Sequence, residues 1–181
     1  MNYANIKKYD IANGPGIRLS LFVSGCRHHC LNCFNQEAWD FNYGKPFTEE
    51  TENEILQELS KQPYKGMTLL GGEPMEPENQ EVLAPFIEKY KQLYPDKTLW
   101  LFSGFTLEQL LEIAKKNPNT MRILKNVDVL VDGKFMEELK DISLLFRGSS
   151  NQRLIDLKTT LNNNNIVLWK DEHVSMMDVN H

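Results

Sequence analysis

Cys26, Cys30 and Cys33 are the only cysteines of the chain, and they fall within eight residues. The run reads Ser24-Gly25-Cys26-Arg27-His28-His29-Cys30-Leu31-Asn32-Cys33-Phe34-Asn35. Three thiols cannot pair off as disulfides without leaving one over. Three thiolates on one loop can wrap a metal centre, and thiolates are the ligands of iron–sulfur clusters. A 4Fe–4S cube held by three of them keeps one iron open to an outside ligand, and that iron is where chemistry is expected. The competing reading is a Cys3His zinc site using His28, His29 or the distant His173. Zinc fingers commonly use two separated ligand pairs, and no second pair follows. His28 and His29 also sit inside the Cys26–Cys30 segment, where reaching the same metal strains the loop. Both read better as solvated polar residues.

Four further segments are rich in turn formers. Asn13-Gly14-Pro15-Gly16-Ile17-Arg18 and Arg147-Gly148-Ser149-Ser150-Asn151-Gln152-Arg153 are, by physics alone, plain turns or loops. Gly71-Gly72-Glu73-Pro74 follows a buried-looking strand. Its glycines let backbone approach a ligand without Cβ interference, and carbonyl groups at such a turn can receive an ammonium group. Asp132-Gly133-Lys134 is equally an ordinary turn with a solvated pair.

The elements that must hold these segments alternate. Arg18 to Ser24, Gly66 to Leu70, Thr98 to Phe102 and Val127 to Val131 are short apolar runs that read as strands. Between them lie helical patterns. One opens after Thr48, a plausible N-cap. One has Pro77 in its first turn and repeats apolar residues from Val82 to Leu93. A third carries Leu107, Leu110, Leu111 and Ala114. This alternation argues for parallel βα units in an α/β fold, and each motif directly follows a strand, the edge where such folds build sites. A closed eight-fold barrel usually needs roughly 200 residues or more. The 181 residues therefore suit a partial, open (β/α) barrel. One domain is expected over 1–169, with a turn at Asn162 to Asn165, a last apolar stretch at Ile166 to Trp169 and a loose tail over 170–181.

A net charge of −5 and a pI near 5.4 give no electrostatic case for nucleic acid or a membrane surface. No signal peptide or transmembrane run is recognisable at the N-terminus. With unpaired cysteines, that leads to the expectation of a cytoplasmic protein.

Cys-x3-Cys-x2-Cys after the first strand and Gly-Gly-Glu-Pro after the next together resemble the radical S-adenosylmethionine enzymes. Asn13 to Arg18 narrows the resemblance to glycyl-radical-enzyme activases. The short length, Val131-Asp132-Gly133-Lys134-Phe135 and Arg147 to Arg153 narrow it to those acting on anaerobic ribonucleoside-triphosphate reductase. The resemblance runs from about Asn13 to Arg153. Many radical S-adenosylmethionine enzymes carry an aromatic just before the third cysteine. Here Asn32 stands there and the aromatic, Phe34, follows Cys33, as is common in the reductase activators. Their residue before that cysteine is often glycine, and asparagine tolerates a positive φ better than other residues do.

The resemblance implies a 4Fe–4S cluster on Cys26, Cys30 and Cys33, with S-adenosylmethionine as co-substrate on the fourth iron. It implies that the backbone around Gly72 and Glu73 meets the ligand's ammonium, and that Asn32, Cys33 and Phe34 border its adenine. Asp132 and Lys134 are assigned to the methionine carboxylate, and Ser103 to the ribose or a cation, from strand-end position. The implied partners are the anaerobic reductase as protein substrate and a flavodoxin-like electron donor, with a homodimer left open. The alternatives are an activase of a formate-lyase-type enzyme, a radical enzyme acting on a free metabolite, or a non-enzymatic zinc-binding interaction module.

Overall fold

The computed structural model describes residues 1–171. Seven strands form one open sheet in the order β3-β1-β2-β4-β5-β6-β7. Its centre is four parallel strands: β2 (Ile17–Val23), β4 (Tyr64–Gly71), β5 (Thr98–Ser103) and β6 (Val129–Asp132). Helices α1 (Glu49–Leu59), α2 (Pro77–Leu93), α3 (Leu107–Ala114) and α4 (Pro118–Leu124) make the crossovers. Thr48 caps α1 by accepting from the Thr51 amide, Pro77 opens α2, and Thr106 with Gln109 forms a capping box on α3.

The sheet is mixed, not wholly parallel. β1 (Asn2–Asp10) runs antiparallel to β2, β3 (Lys45–Pro46) antiparallel to β1, and β7 (Arg153–Asp156) antiparallel to β6. β1 escapes a sequence reading because its residues are mostly exposed or half-exposed, which leaves no apolar alternation to detect. α5 (Leu157–Asn163), not foreseen in the sequence, runs into the expected turn at Asn162 to Asn165, and Asn164 ends it with φ 53. The apolar stretch after it bridges β7 antiparallel at Leu168 and Ile155. The expected tail lies outside the described residues except for Lys170 and Asp171.

Side chains alternate across the strands as period-two geometry requires. Leu19, Leu21, Met67, Leu69, Leu99, Leu101, Leu130 and Ile155 point into one core with the helices, among them Leu83, Phe86 and Tyr90 of α2. The opposite face is partly polar. It buries Arg18, Ser20 and Thr68, then Trp100, Val129, Val131 and Leu154, against which Phe146 and Trp169 pack.

Asp10, fully buried where β1 ends, anchors the Asn13–Arg18 turn to this face. It accepts hydrogen bonds from Ser20 Oγ, Asn13 Nδ2 and the Ala12 amide, and pairs with Lys7. Burial alone would raise its pKa from 3.8, but these donors win and hold the carboxyl down to about 2. A depressed folded-state value stabilises fully above the unfolded value and is lost as pH falls through about 2. Asp10→Asn is therefore expected to cost ~2 kcal/mol at pH 7. The deficit should shrink between about pH 4 and pH 2, as read by urea denaturation. A deficit that does not change with pH would refute this account.

Candidate functional site

β2 ends at Val23 and the chain enters the cysteine loop through Ser24 and Gly25. β4 ends beside it at Gly71 and Gly72. The two exits are bonded backbone to backbone: the Gly72 amide donates to Val23 O at 2.8 Å and the Glu73 amide to Gly25 O at 2.8 Å. A Cβ on Gly72 would lie 2.6 Å from Gly25 O and 2.9 Å from Ala38 O. The glycine pair thus permits one loop to lie directly on the other. The Gly25 amide donates to Ala38 O, and the Cys26 amide to Trp39 O, in the short 3-10 turn Gln36–Trp39.

Side chains clamp the loop from both flanks. The Arg27 guanidinium pairs with Glu76 and Glu78 at the start of α2 and lies over the Phe41 ring. The His29 ring stacks on Trp39 with centroids 4.4 Å apart. His28 is not solvated, contrary to expectation. Its side chain is only 9% exposed, and its Nε2 stands 2.8 Å from Glu73 Oε2. Nothing local signals this contact, because the partners are 45 residues apart.

Cys26, Cys30 and Cys33 line one cavity of about 560 Å³, together with Asn32, Phe34, Gly72, Glu73 and Ser103. Asn32 has the anticipated left-handed backbone, φ 55. Phe34 is 83% exposed, at the cavity's rim. The buried Glu73 carboxylate accepts from Met75 N and Ser103 Oγ on one oxygen, and from Gly104 N and His28 on the other. Ser103 thus turns its hydroxyl proton toward Glu73. Asp132 and Lys134 are not among the lining residues. Asp132 accepts from the Leu107 amide and pairs with Arg153, which also pairs with Glu108. Lys134 lies close enough to favour the Cys30 thiolate.

Burial pushes the Cys26 thiol up to about 11 and also raises Cys30. A bound cation reverses that balance, because metal ligation deprotonates thiols. Among the described residues, no three His, Cys, Asp or Glu side chains converge as a single ion requires. A cube places its irons at separate corners and needs thiolates that border a space. Three cysteines around one cavity fit that demand.

A strap between β6 and β7, residues 133–152, supplies another part of the wall. It contributes Phe135, Ile142, Leu144, Phe146 and Arg147 to the cavity. The Arg147–Arg153 segment is the clasp of this strap. Asn151 Nδ2 donates to Lys134 O and Gln152 Nε2 to Gly133 O, while Gln152 Oε1 accepts from the Gly148 and Ser149 amides. Beyond the clasp, Met136, Leu139, Ile142 and Leu145 are exposed, facing solvent as Leu31 and Phe34 do on the cysteine loop.

A family model described as a 4Fe-4S single cluster domain matches residues 12–155. The chain is also similar to proteins named anaerobic ribonucleoside-triphosphate reductase-activating protein. That of Pasteurella multocida is 46% identical over 154 residues, covering 84% of this chain and 95% of the relative. That of Escherichia coli K12 is 41% identical, covering 84% and 96%. That of Enterobacteria phage T4 is 40% identical, covering 85% and 93%.

Proposed function

Because the chain belongs to the family of anaerobic ribonucleoside-triphosphate reductase-activating proteins, with their 4Fe-4S single cluster domain, we propose that it installs a glycyl radical on that reductase, using S-adenosylmethionine. The observation that carries this reading is the shared cavity of the three cysteines and the Gly71–Glu73 turn. Cys26, Cys30 and Cys33 would hold the cluster. A reduced cluster held there would supply one electron for reductive cleavage of S-adenosylmethionine to methionine and a 5′-deoxyadenosyl radical, the species that would take a hydrogen atom from a glycine of the reductase.

The chain's own part is position and exclusion. The backbone at Gly72 and Glu73 receives the ammonium of the co-substrate, and Asn32, Cys33 and Phe34 border its adenine. Ser103 acts through Glu73. Asp132 and Lys134 support the site from outside the cavity, Asp132 by fixing Arg153 and the start of α3. Holding donor and acceptor side by side makes the electron transfer effectively intramolecular. No general acid or base is needed. The parallel strands with their helices are read as a partial, open barrel of the radical S-adenosylmethionine type, in one domain over 1–169. The proposed setting is the cytoplasm, with a flavodoxin-like electron donor and a homodimer as further proposed partners. No described helix is long and apolar enough to cross a membrane.

The test is anaerobic reconstitution with iron and sulfide, reduction, and assay of 5′-deoxyadenosine with and without the reductase. Cleavage plus a glycyl radical signal on the reductase supports the function. Zinc without sulfide, and no cleavage, would favour the interaction module.

A protein substrate needs a protein-complementary entrance. Exposed apolar residues on the two segments that contribute to the cavity, Leu31 and Phe34 on the cysteine loop and Leu139 and Leu145 on the strap, supply one. Leu145→Asp is expected to reduce radical formation on the reductase about tenfold while cleavage of S-adenosylmethionine alone continues. Equal loss of both activities would remove the strap from partner recognition.

A further inference from the structure

We propose that His28 is a positioning residue that fixes the cluster-bearing loop to the turn that receives S-adenosylmethionine, acting through Glu73. The inference rests on the function proposed above and assigns a role to a residue that function leaves unused.

His28 lies between two of the three thiols, on the four-residue path from Cys26 to Cys30. Its Nε2 reaches Glu73 Oε2 at 2.8 Å, and a carboxylate only accepts, so that nitrogen is the donor. Glu73 is fully buried and takes three other hydrogen bonds. Gly104 N lies 2.7 Å from Oε2; Met75 N and Ser103 Oγ lie 2.8 and 2.9 Å from Oε1. One carboxylate therefore joins the exits of β4 and β5, and His28 is the side chain that brings the cysteine loop to it. Asn79 of α2 runs parallel to this link, donating to Ser24 O and Glu73 O. The carboxylate faces the frame and the Glu73 carbonyl accepts from Asn79 Nδ2 and the Glu76 amide, which leaves the neighbouring Gly72 carbonyl for the ligand's ammonium.

The imidazole has a prepared seat. It meets the Phe105 ring edge-on with centroids 4.4 Å apart. A Cβ on Gly104 would fall 2.4 Å from the His28 ring, so only glycine leaves this room. Residue choice at three separate places, His28, Glu73 and Gly104, thus serves one contact. The distance between the open iron and the sulfonium depends on how the cysteine loop sits on the β4 exit. A displacement of about 1 Å at such a junction can cost about a hundredfold in rate.

The experiment uses the full chain, reconstituted anaerobically, in wild-type, His28→Ala, His28→Gln, Gly104→Ala and His28→Ala/Gly104→Ala forms. Iron and sulfide content, affinity for S-adenosylmethionine by equilibrium dialysis, the change in the electron paramagnetic spectrum of the reduced cluster on adding it, and cleavage rate are measured on each. His28→Ala and Gly104→Ala are expected to retain wild-type iron and sulfide, to bind S-adenosylmethionine about tenfold more weakly, and to show a diminished spectral change. Glutamine carries an amide nitrogen near the place of Nε2 and is expected to restore most of the affinity. The double variant should be no worse than His28→Ala, because both changes break one contact. Wild-type affinity and spectrum in His28→Ala overturn the inference, as do additive losses in the double variant. Loss of iron from His28→Ala that glutamine does not repair assigns His28 to loop folding alone and also overturns it. A wild-type protein without cluster or cleavage overturns the proposed function, and this inference with it.

Discussion

Cys30→Ala is expected to give a folded protein that holds no 4Fe–4S cluster and forms no 5′-deoxyadenosine. Folding survives because Cys30 is only half-buried and belongs to neither hydrophobic core. The loop around it is held by other groups: Arg27 on Glu76 and Glu78, His28 on Glu73, and His29 on Trp39. The cluster does not survive, because only two cysteines remain. No neighbouring side chain replaces the third, since His28 already bonds Glu73 and His29 lies flat on Trp39. Thermal melting should match wild type to within a few degrees, while iron, sulfide and cleavage fall to background. Iron loss alone would not tell an iron–sulfur cluster from zinc, so sulfide in the wild-type protein must be counted beside it. A Cys30→Ala protein that still cleaves S-adenosylmethionine would overturn the ligand assignment.

The second large effect concerns stability. Arg18 is fully buried on the partly polar face of the sheet, where hydroxyl and carbonyl oxygens surround it. Its Nε donates to Thr68 Oγ1, one terminal nitrogen to Thr98 Oγ1 and Pro15 O, and the other to Met67 O and Thr98 O. The guanidinium lies over Trp100, 5.7 Å from the ring centroid. Burial lowers its pKa to about 10, which still leaves it charged at neutral pH. One side chain therefore ties β2, β4, β5 and the Asn13–Gly16 turn together. Arg18→Met removes a desolvated charge, which favours the variant. It also strips donors from buried carbonyl and hydroxyl oxygens, at about 1–3 kcal/mol for each one left unpaired. With several such acceptors the loss wins, and a net cost of about 3–5 kcal/mol is expected in urea denaturation. Arg18→Lys should recover only part, because an ammonium lacks the planar fork. A cost below about 1 kcal/mol for Arg18→Met would show that the oxygens find other partners.

What the sequence makes legible here is local. The three cysteines, the glycine turn beside them and the cap of α1 are each complete within a few residues, and each stands where local chemistry places it. The positive φ of Asn32 belongs to the same class. What escapes is long-range. Asp132-Gly133-Lys134 in isolation reads as a turn with a solvated pair, yet Arg153, 21 residues later, takes up the Asp132 carboxylate. His28 looks solvated until β4 brings Glu73 to it. Asn13 to Arg18 reads as a turn, and it is one, but its arginine folds under the sheet to partners 50 and 80 residues away. β1 has no apolar rhythm, because an outer antiparallel strand needs only its backbone to pair.

The strap's attachment has a practical consequence. Its clasp closes on itself: Asn151 and Gln152 bond Lys134 O and Gly133 O, and Ser149 Oγ receives the Met136 amide. The sheet on either side is registered independently, β6 against β7. Residues 136–145 therefore form an interchangeable cassette. The tip of a related activator, grafted between Phe135 and Phe146, would carry a different partner preference onto unaltered cysteines, changing with it only the part of the cavity wall that Ile142 and its neighbours supply.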